Sequence, residues 1–305
     1  MRLRTAGPPR AGNRPSGNER SKRMAMAEMV NDCRKNRITT DDYEVKEERM
    51  LGEGRITKVL SYAAHASDLR KSVALALNNL ARLAILDIDT IVIVYSSPGG
   101  DMDAKAFADV VVEKMSRNVV VIEDKTNLYY DFGKHAIAHL YLRSASVALQ
   151  HVHLMNDSII ITGELDDICR RMNQCTCHYD LVGALESHEI SRHYQSWWLA
   201  LRGEIIDDYF SQLVLVRCGS SAQVGCTIHV NEVALCGRMI HKYDATALVT
   251  TAARGNPFHA AGAYADMYGR QGLRVVKKKC LTPEFRHLAP WAMQAGMIQA
   301  LSKLI

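Results

Sequence analysis

The feature that most constrains the fold is a short segment in which two buried strands flank one helix. Residues 90–95 (TIVIVY) are apolar or β-branched without alternation, as in a strand that is covered on both faces. Residues 96–100 (SSPGG) force a turn, apolar side chains then recur at helical spacing, and residues 118–122 (NVVVI) form a second buried strand. Strand, helix and strand in this order predict a βαβ unit in a parallel sheet, and therefore an α/β fold.

Further elements are predicted on both sides of this unit. They are a strand near 56–62, an amphipathic helix over 67–84, helices over 134–142, 164–172, 187–201 and 205–216, and strands over 147–153 and 158–162. We divide the chain into a basic arm and linker (1–45), an α/β domain (46–245) and a helical C-terminal extension (246–305).

The net charge of +5 is located almost entirely in the N-terminal arm. Residues 1–23 carry seven basic residues and one acidic residue, a balance of 7 − 1 = +6, so the rest of the chain carries 5 − 6 = −1. The arm is rich in Pro, Gly and Arg and is predicted to be disordered. A flexible arm or over-extended start, an organelle transit peptide and a polyanion-binding arm stay open as interpretations. The near-neutral remainder gives no reason to expect a nucleic-acid partner.

The composition also bounds the compartment. No apolar run reaches the roughly 18–20 residues that span a bilayer, so no membrane partner is expected. The chain has eight cysteines and no apolar segment typical of a secretory signal, which indicates free thiols in a reducing compartment. These observations predict a cytoplasmic or organelle-matrix protein.

The turn after residues 90–95 contains Gly99 and Gly100 and opens a helix. Two glycines let the backbone approach a ligand closely, and N–H groups near a helix N-terminus attract negative charge. The pattern suits half of an oxyanion hole. By pattern alone it is more often an ordinary tight turn between a strand and a helix.

From about residue 55 to 244 the chain resembles the proteolytic subunit of the Clp protease, a member of the crotonase-like superfold. The resemblance depends on the order of several motifs: the helix at 67–84, the strand at 90–95 with Ser97-Pro-Gly-Gly100, the strand at 118–122, Arg143-Ser-Ala-Ser146 followed by His151-Val-His153, and Val230-Asn-Glu232 through Gly237. It implies a ClpP/crotonase-like fold built from repeated ββα/βαβ units, together with the disordered basic arm.

The resemblance also implies a set of site residues. In that family a histidine base, oriented by an aspartate, activates a serine nucleophile. The resemblance assigns the histidine to His153 and the oxyanion donors to Gly99 and Gly100. Cofactors and metal ions are not implied.

The serine and the aspartate of that triad are missing. Residues 123–133, where the serine should lie, offer only Thr126 and tyrosines as hydroxyls, and the aspartate position falls on Gly225 and Cys226. We therefore predict a catalytically degenerate Clp-type peptidase homologue that acts as a structural or regulatory subunit. Its implied partners are a ring of like or mixed subunits, an AAA+ unfoldase and, if any activity survives, a polypeptide substrate.

Two alternatives stay open. A rewired peptidase, which includes the phage head-maturation type, takes its nucleophile and orienting carboxylate from Ser144, Ser146, Asp157, Asp207 and Asp208. A metal-binding protein uses histidines that share a face, namely His135 with His139 on a helix and His151 with His153 on a strand.

Two other groups of residues receive a structural interpretation. The residues Cys169, Cys175, Cys177 and His178 lack the paired spacing of a zinc site, and no metal ligand is assigned to them. The pair Trp197-Trp198, with Tyr194 nearby, is expected to anchor a core or a subunit interface rather than to stack on a ligand.

Overall fold

The computed structural model of the protein describes residues 28–29, 31–49, 56–65, 69–96, 104–217, 219–251 and 253–278. Nine of the strands in these residues form one mixed sheet: β1 (Tyr43–Arg49), β2 (Lys58–His65), β3 (Thr90–Ser96), β4 (Asn118–Asp124), β5 (His151–Asn156), β7 (Leu181–Ser187), β8 (His193–Tyr194), β9 (Trp198–Arg202) and β10 (Ala245–Val249). A separate antiparallel pair consists of β6 (Ile159–Ile161) and β11 (Val275–Lys277).

Helices connect these strands and cover the sheet. In chain order they are α1 (Leu69–Ala81), α2 (Ala104–Lys114), α3 (Tyr130–Ser144), α4 (Asp166–Thr176), α5 (Ile205–Gln212), α6 (Ser221–Thr227), a π-helix (Ile228–Leu235), α7 (Cys236–Lys242) and α8 (Ala261–Gly269). None of the helices that the structure describes combines the length and the apolar character that crossing a membrane requires.

The strand order of the main sheet is β1-β4-β3-β2-β5-β9-β7-β10, with β8 paired to β7. Strands β4, β3, β2 and β5 are parallel neighbours, and β7 and β10 are also parallel. Because β9 is antiparallel to both β5 and β7, those two strands run in the same direction. The chain builds outward from β2 through β3 to β4, and then returns to the other side of β2 with β5. The strand order therefore reverses between β2 and β5.

Alternating side chains of the central strands build a core on each face of the sheet. Ile91 and Ile93 of β3 contribute to a cluster with Phe107 of α2, whereas Val92 and Val94 of the same strand contribute to a cluster with α3. Every residue of β3 is buried, which is the physical reason for its continuous apolar run. The result is a sheet with helices on both faces.

The α/β prediction is confirmed, and several elements up to residue 176 follow the sequence patterns closely. The helices predicted over 67–84 and 164–172 correspond to α1 and α4, and the strands at 90–95 and 118–122 correspond to β3 and β4. The ClpP/crotonase specifics are not confirmed, because a single mixed sheet takes the place of repeated ββα units.

The long helix predicted over 187–201 is wrong. These residues contain the end of β7, all of β8 and most of β9. β9 lies inside the sheet between β5 and β7 and is buried along nearly its whole length, so it lacks the alternation that identifies a half-buried strand. In β7, Gly183 weakened the strand signal. Position 183 requires glycine because the Cβ of any other residue would lie 2.4 Å from Cγ of Tyr194.

Several predictions concern residues outside the described ranges. They are the basic arm at 1–23, the turn with Gly99 and Gly100, and the helical stripe that follows Trp291. Between 246 and 278, the described residues contain most of β10, all of α8 and all of β11.

Candidate functional site

The carboxyl ends of the parallel strands bring polar side chains to one edge of the sheet. β2 ends at His65, β3 at Ser96 and β5 at Asn156. In open α/β sheets, ligands bind outside the carboxyl ends of the strands at the point where the strand order reverses. That point lies between β2 and β5, so this edge is where a ligand site is expected.

The turn that follows β5 is built from Asn156, Asp157 and Ser158. Asn156 Oδ1 accepts hydrogen bonds from the backbone N–H (3.1 Å) and the hydroxyl (2.6 Å) of Ser158. Asp157 Oδ2 accepts a hydrogen bond from the backbone N–H of His65 (3.1 Å) and forms an ion pair with Lys278 Nζ (2.8 Å). The turn is therefore fixed to the end of β2 and to the residue that follows β11.

A cavity of about 170 Å³, which we call the edge cavity, lies beside this turn. Its lining residues are Tyr130, Asp131, Phe132, Asn156, Ser158, Ser196, Val224, Thr227, Ile228 and Glu232. The first turn of α3 forms one wall, and the end of α6 with the π-helix forms another. Two carboxyl groups, an amide and several hydroxyls therefore meet in a small space with apolar surroundings.

Asp131 lies in the first turn of α3 and is partly buried. Burial raises its pKa to about 6 because the charged form loses hydration, and the negative charge of Asp157 acts in the same direction. Lys134, Lys277 and Lys278 oppose this increase through their positive charges. Asp131 therefore keeps its proton to a higher pH than an ordinary aspartic acid.

Glu232 lies on the π-helix and shows the opposite shift. Burial acts to raise its pKa, but the interaction with His193 and the hydrogen bonds from Ser196 outweigh that effect and lower the pKa below its ordinary value. Oε2 accepts hydrogen bonds from the backbone N–H of Ser196 (3.2 Å) and from its hydroxyl. Oε1 lies 3.6 Å from Nε2 of the buried His193, a distance for an ion pair rather than a hydrogen bond. Glu232 is therefore held in its ionised form.

The π-helix fixes the position of Glu232. The neighbouring Asn231 is buried, and its side chain exchanges two hydrogen bonds with the backbone of Val214, from the Val214 N–H (3.0 Å) and to the Val214 carbonyl (2.8 Å). Turns of π-helix are uncommon and occur frequently at functional sites. A widened helical turn therefore places a charged carboxylate on the cavity.

The opposite wall contains an unusual backbone conformation. Tyr130 has φ of +52° and Asn127, three residues earlier, has φ of +46°. Asparagine tolerates this left-handed region, but a bulky residue seldom adopts it. Strained residues of this kind concentrate at ligand sites, where the surrounding structure maintains them.

Three lysines lie around the same edge. Lys277 Nζ is 3.4 Å from the hydroxyl of Ser158, and Lys278 pairs with Asp157. Lys134 is only 1% exposed, and its Nζ donates to Asn127 Oδ1 at 3.4 Å. Positive charge therefore lies next to a cavity whose own lining contains two carboxyl groups.

The structure places His153 away from this cavity. It lies inside the sheet on β5, opposite Leu60 of β2 and Ala200 of β9, and it is 1% exposed. Its Nδ1 has no hydrogen-bond partner among the described residues, and burial lowers its pKa to about 4. The roles assigned to His153 and to Gly99 and Gly100 stay predictions.

The proposed substitutes for the triad are not brought together with His153. Ser144 and Ser146 lie at the C-terminal end of α3 and are exposed, and the Ser144 hydroxyl donates to the carbonyl of Tyr141 (2.7 Å). Asp207 and Asp208 lie on α5. Asp157 alone reaches the carboxyl edge, where it binds Lys278 rather than a histidine.

The histidine-built metal site is not formed by the part of the chain that the structure describes. The ring of His135 is buried and its Nδ1 lies 2.8 Å from the Ser61 hydroxyl, whereas His139 contacts Asp207 (3.2 Å) and stacks on Phe210. Among the described residues, no three His, Cys, Asp or Glu side chains meet in an arrangement for a metal ion.

The interpretation of Trp197 and Trp198 as core anchors is confirmed. They are 1% and 0% exposed, their ring centroids are 6.3 Å apart, and Trp197 also contacts Phe258 edge to face. They therefore support the strand next to the cavity without lining it.

Sequence reasoning missed Asp131, Ser196 and Glu232 as site residues. A signal existed for the turn after β5, because the polar triplet at 156–158 directly follows an apolar run and precedes another. Ser196 was hidden by the wrong helix over 187–201, and Glu232 was interpreted only as part of a family motif.

Comparison with known proteins identifies no family for this chain. No protein-family description matches the sequence, and no curated protein matches it. Among solved structures, the chain is similar to the glycosyltransferase GlyE of Streptococcus pneumoniae TIGR4, with 11% sequence identity and a TM-score of 0.41. The match covers 81% of this chain and 62% of that one, so this chain spans about three fifths of the length of GlyE.

These findings correct the predicted family and function. The resemblance to the Clp proteolytic subunit is wrong, since no protein-family description, that of the Clp protease included, matches the sequence, and nine of the described strands form a single mixed sheet. The interpretation as a degenerate or rewired Clp-type peptidase is therefore withdrawn, and so is the histidine metal protein on the same scaffold.

Proposed function

We propose that the protein binds a phosphorylated, hydroxyl-rich small molecule in the edge cavity and catalyses transfer of a group from it. The observation that supports this proposal best is the edge cavity itself. It combines two carboxyl groups of opposite pKa shift with hydroxyl and amide groups, and lysines lie beside it.

The lining chemistry favours a ligand with many hydroxyl groups. An ionised carboxylate such as Glu232 is an acceptor only, an amide such as Asn156 both donates and accepts, and hydroxyls do the same. The Thr227 hydroxyl is buried and has no partner among the described residues, so it is available to a ligand. A cavity of about 170 Å³ is small compared with the roughly 300–1,000 Å³ of drug-sized sites, which suits one sugar-sized ring.

The surrounding charges favour a phosphate attached to that ring. Lysine ammonium groups bind phosphate as point charges, and Lys277 and Lys278 lie beside Ser158 on the cavity lining. Sheets whose strand order reverses in this way bind nucleotides at the same edge, which is an argument by analogy of fold. A sugar nucleotide is therefore the first compound class to test.

The two carboxyl groups supply a route for the proton. Glu232 is ionised and can accept the proton of an acceptor hydroxyl while that oxygen forms its bond to the transferred carbon. The bond from that carbon to the phosphate oxygen breaks, and the phosphate retains the electron pair beside the lysines. Asp131, with its raised pKa, keeps a proton for the ligand below about pH 6.

Two predictions from the sequence stay proposals beside this one. They are the cytoplasmic or organelle-matrix location and association of several copies of the chain. Analytical ultracentrifugation of the purified protein tests the second.

The test is thermal unfolding and calorimetric titration with UDP-glucose, UDP, glucose 1-phosphate and inorganic phosphate. A bound ligand at 100 times its dissociation constant raises the free energy of unfolding by about 2.7 kcal/mol. We expect the sugar-phosphate compounds to stabilise the wild type, and we expect Glu232→Gln to weaken them at least tenfold. Glu164→Gln, which changes an exposed carboxylate outside the cavity, is the matched control.

Two outcomes would contradict the proposal. The first is that no phosphorylated sugar or nucleotide stabilises the protein. The second is that Glu164→Gln weakens binding as much as Glu232→Gln does.

A further inference from the structure

A second concave surface lies at the other end of α3. This groove of about 780 Å³ is bordered by the N-terminal segment at 34–38, the C-terminal half of α3 and the end of α5 with the segment that follows it. We call it the basic groove and define it by Arg34, Arg37, His139, Leu140, Phe210 and Arg238. The edge cavity contacts the first turn of α3 at Asp131, whereas the basic groove contacts His139, about 12 Å further along the helix axis.

Three arginines on the basic groove have no acidic partner in the part of the chain that the structure describes. Arg34, Arg37 and Arg238 are exposed, and no carboxylate of a described residue forms an ion pair with any of them. Arg37 donates to the carbonyls of Arg34 (2.5 Å) and Asn36 (2.8 Å), and Arg238 Nε donates to Gln212 Oε1 (3.2 Å). Their charge is therefore left for a partner from outside.

The acidic residues near the basic groove are already engaged. Asp207 contacts His139 (3.2 Å) and Arg143 (3.5 Å), and Asp208 pairs with Lys242 (2.8 Å). The lining of the groove itself contains no carboxylate. Among the described residues, no nearby carboxylate therefore neutralises the positive charge of the three arginines.

The rest of the lining is largely apolar. Leu140 is 39% exposed, and Phe210 stacks on His139 with a centroid distance of 4.2 Å. Ile38, Leu213 and Leu215 continue this surface. Asn36 fixes the two borders to each other by donating to the Leu215 carbonyl (2.6 Å).

We propose that the basic groove binds an acidic polypeptide segment that carries apolar side chains. Guanidinium groups bind carboxylates through paired hydrogen bonds, and the apolar part of the groove takes the intervening side chains. A nucleic acid fits less well, because its sites need a longer basic surface than three arginines provide. The inference is independent of the function proposed for the edge cavity.

The test measures fluorescence anisotropy of a labelled peptide in which glutamates alternate with leucine and phenylalanine, using the full chain. The key variant is Arg34→Gln/Arg37→Gln/Arg238→Gln. The matched control is Lys114→Gln/Arg82→Gln/Arg254→Gln, which removes the same charge elsewhere. We expect at least tenfold weaker binding in the first variant, a change below twofold in the control, and weaker binding at higher salt.

Two further measurements test the proposal even if the triple arginine variant does not fold. Leu140→Ser changes an already exposed side chain, and we expect it to weaken the peptide several-fold. The same peptide with glutamine in place of glutamate should not bind. Four outcomes would each overturn the proposal. The two peptides bind equally, or both triple variants lose the same affinity. Alternatively, duplex DNA binds more tightly than the peptide, or the peptide shows no saturable binding in the millimolar range.

Discussion

The two walls of the edge cavity place the same chemical group in opposite surroundings. On the α3 wall, Asp131 is partly buried, no hydrogen-bond donor among the described residues compensates for its lost hydration, and its pKa is raised to about 6. On the π-helix wall, Glu232 accepts hydrogen bonds from Ser196 and faces His193, and its pKa is lowered although it is also buried. Burial alone therefore does not determine the charge of a carboxyl group; its donors do.

The two walls also differ in how their carboxyl groups affect the stability of the fold. The carboxylate of Glu232 is part of a network that stabilises the fold. Ionised Asp131 is a cost to the fold, and it sits beside a residue with a strained backbone. Enzymes use such pairs to keep a base and an acid available at one pH.

The largest effect is expected from Glu232→Gln. The substitution leaves His193 buried and without its charged partner, so we expect the free energy of unfolding to fall by about 3 kcal/mol. His193 has a raised pKa, so its stabilisation is complete below its ordinary value of 6.5 and is lost as the pH rises through the folded value. Glu232 has a lowered pKa, so its stabilisation is present above 4.5 and is lost as the pH falls through the folded value.

Urea denaturation at pH 5.5 and at pH 9 measures this effect. We expect the loss to be greater at pH 5.5, where both partners of the ion pair are charged. Glu164→Gln, an exposed carboxylate, should change stability little at either pH. If Glu232→Gln lowers the free energy of unfolding equally at both pH values, the ion pair between Glu232 and His193 does not stabilise the π-helix wall.

Asp131→Asn should act in the opposite direction. Its pKa in the folded state, about 6, exceeds the ordinary value of 3.8, so folding is opposed increasingly as the pH rises from 3.8 to 6. Asparagine resembles the protonated form, so the variant should be more stable than the wild type at pH 8. The gain is at most about 3 kcal/mol and is reduced by partial exposure.

The measurement is the difference in free energy of unfolding between variant and wild type at pH 8 and at pH 4. The difference should nearly disappear at pH 4, where Asp131 is protonated in the folded wild type. If Asp131→Asn destabilises the protein at pH 8, ionised Asp131 does not oppose folding and the two walls do not differ in their effect on stability.

The two walls also differ in how well the sequence predicts them. The strands and helices that lead to the α3 wall have clear patterns, because β3 is fully buried, β4 is mostly buried, and α1 and α2 each present one apolar face. Asp131 itself follows from no local pattern, since its pKa is raised mainly by burial in the folded chain and also depends on Asp157, Lys277 and Lys278, far away in the chain.

The π-helix wall was largely beyond sequence reasoning. β9 is buried inside the sheet, so its apolar residues lack the alternation that would separate it from a helix. The pairing of Ser196 with Glu232 joins residues 36 positions apart, and Ser196 lies between β8 and β9 in the segment that the sequence pattern assigns to a helix. The Clp resemblance failed for a related reason, because its motifs are short βα turns and strands that many α/β proteins share.

Ser196→Ala tests one donor of the Glu232 network at smaller cost. A hydrogen bond to a charged group contributes about 1.5–3 kcal/mol, and the backbone N–H of Ser196 still donates after the change. We therefore expect a loss of about 1–2 kcal/mol and a rise in the pKa of Glu232, measured by NMR titration of its side-chain carbon. Ser144→Ala, an exposed serine on α3, is the control. No change in the Glu232 pKa would remove Ser196 from this network.

The smallest effect concerns the strained backbone of the α3 wall, and its sign is informative. In an ordinary helical position glycine is less stable than alanine by about 1 kcal/mol. At Tyr130, where φ is +52°, glycine adopts the conformation without strain and alanine does not. Tyr130→Gly and Tyr130→Ala both remove the ring, so their difference isolates the backbone. We expect Tyr130→Gly to be the more stable of the two by about 1 kcal/mol in urea denaturation. Ala136→Gly, in the middle of the same helix, should show the ordinary loss; if Tyr130 follows the ordinary order as well, this wall stores no strain.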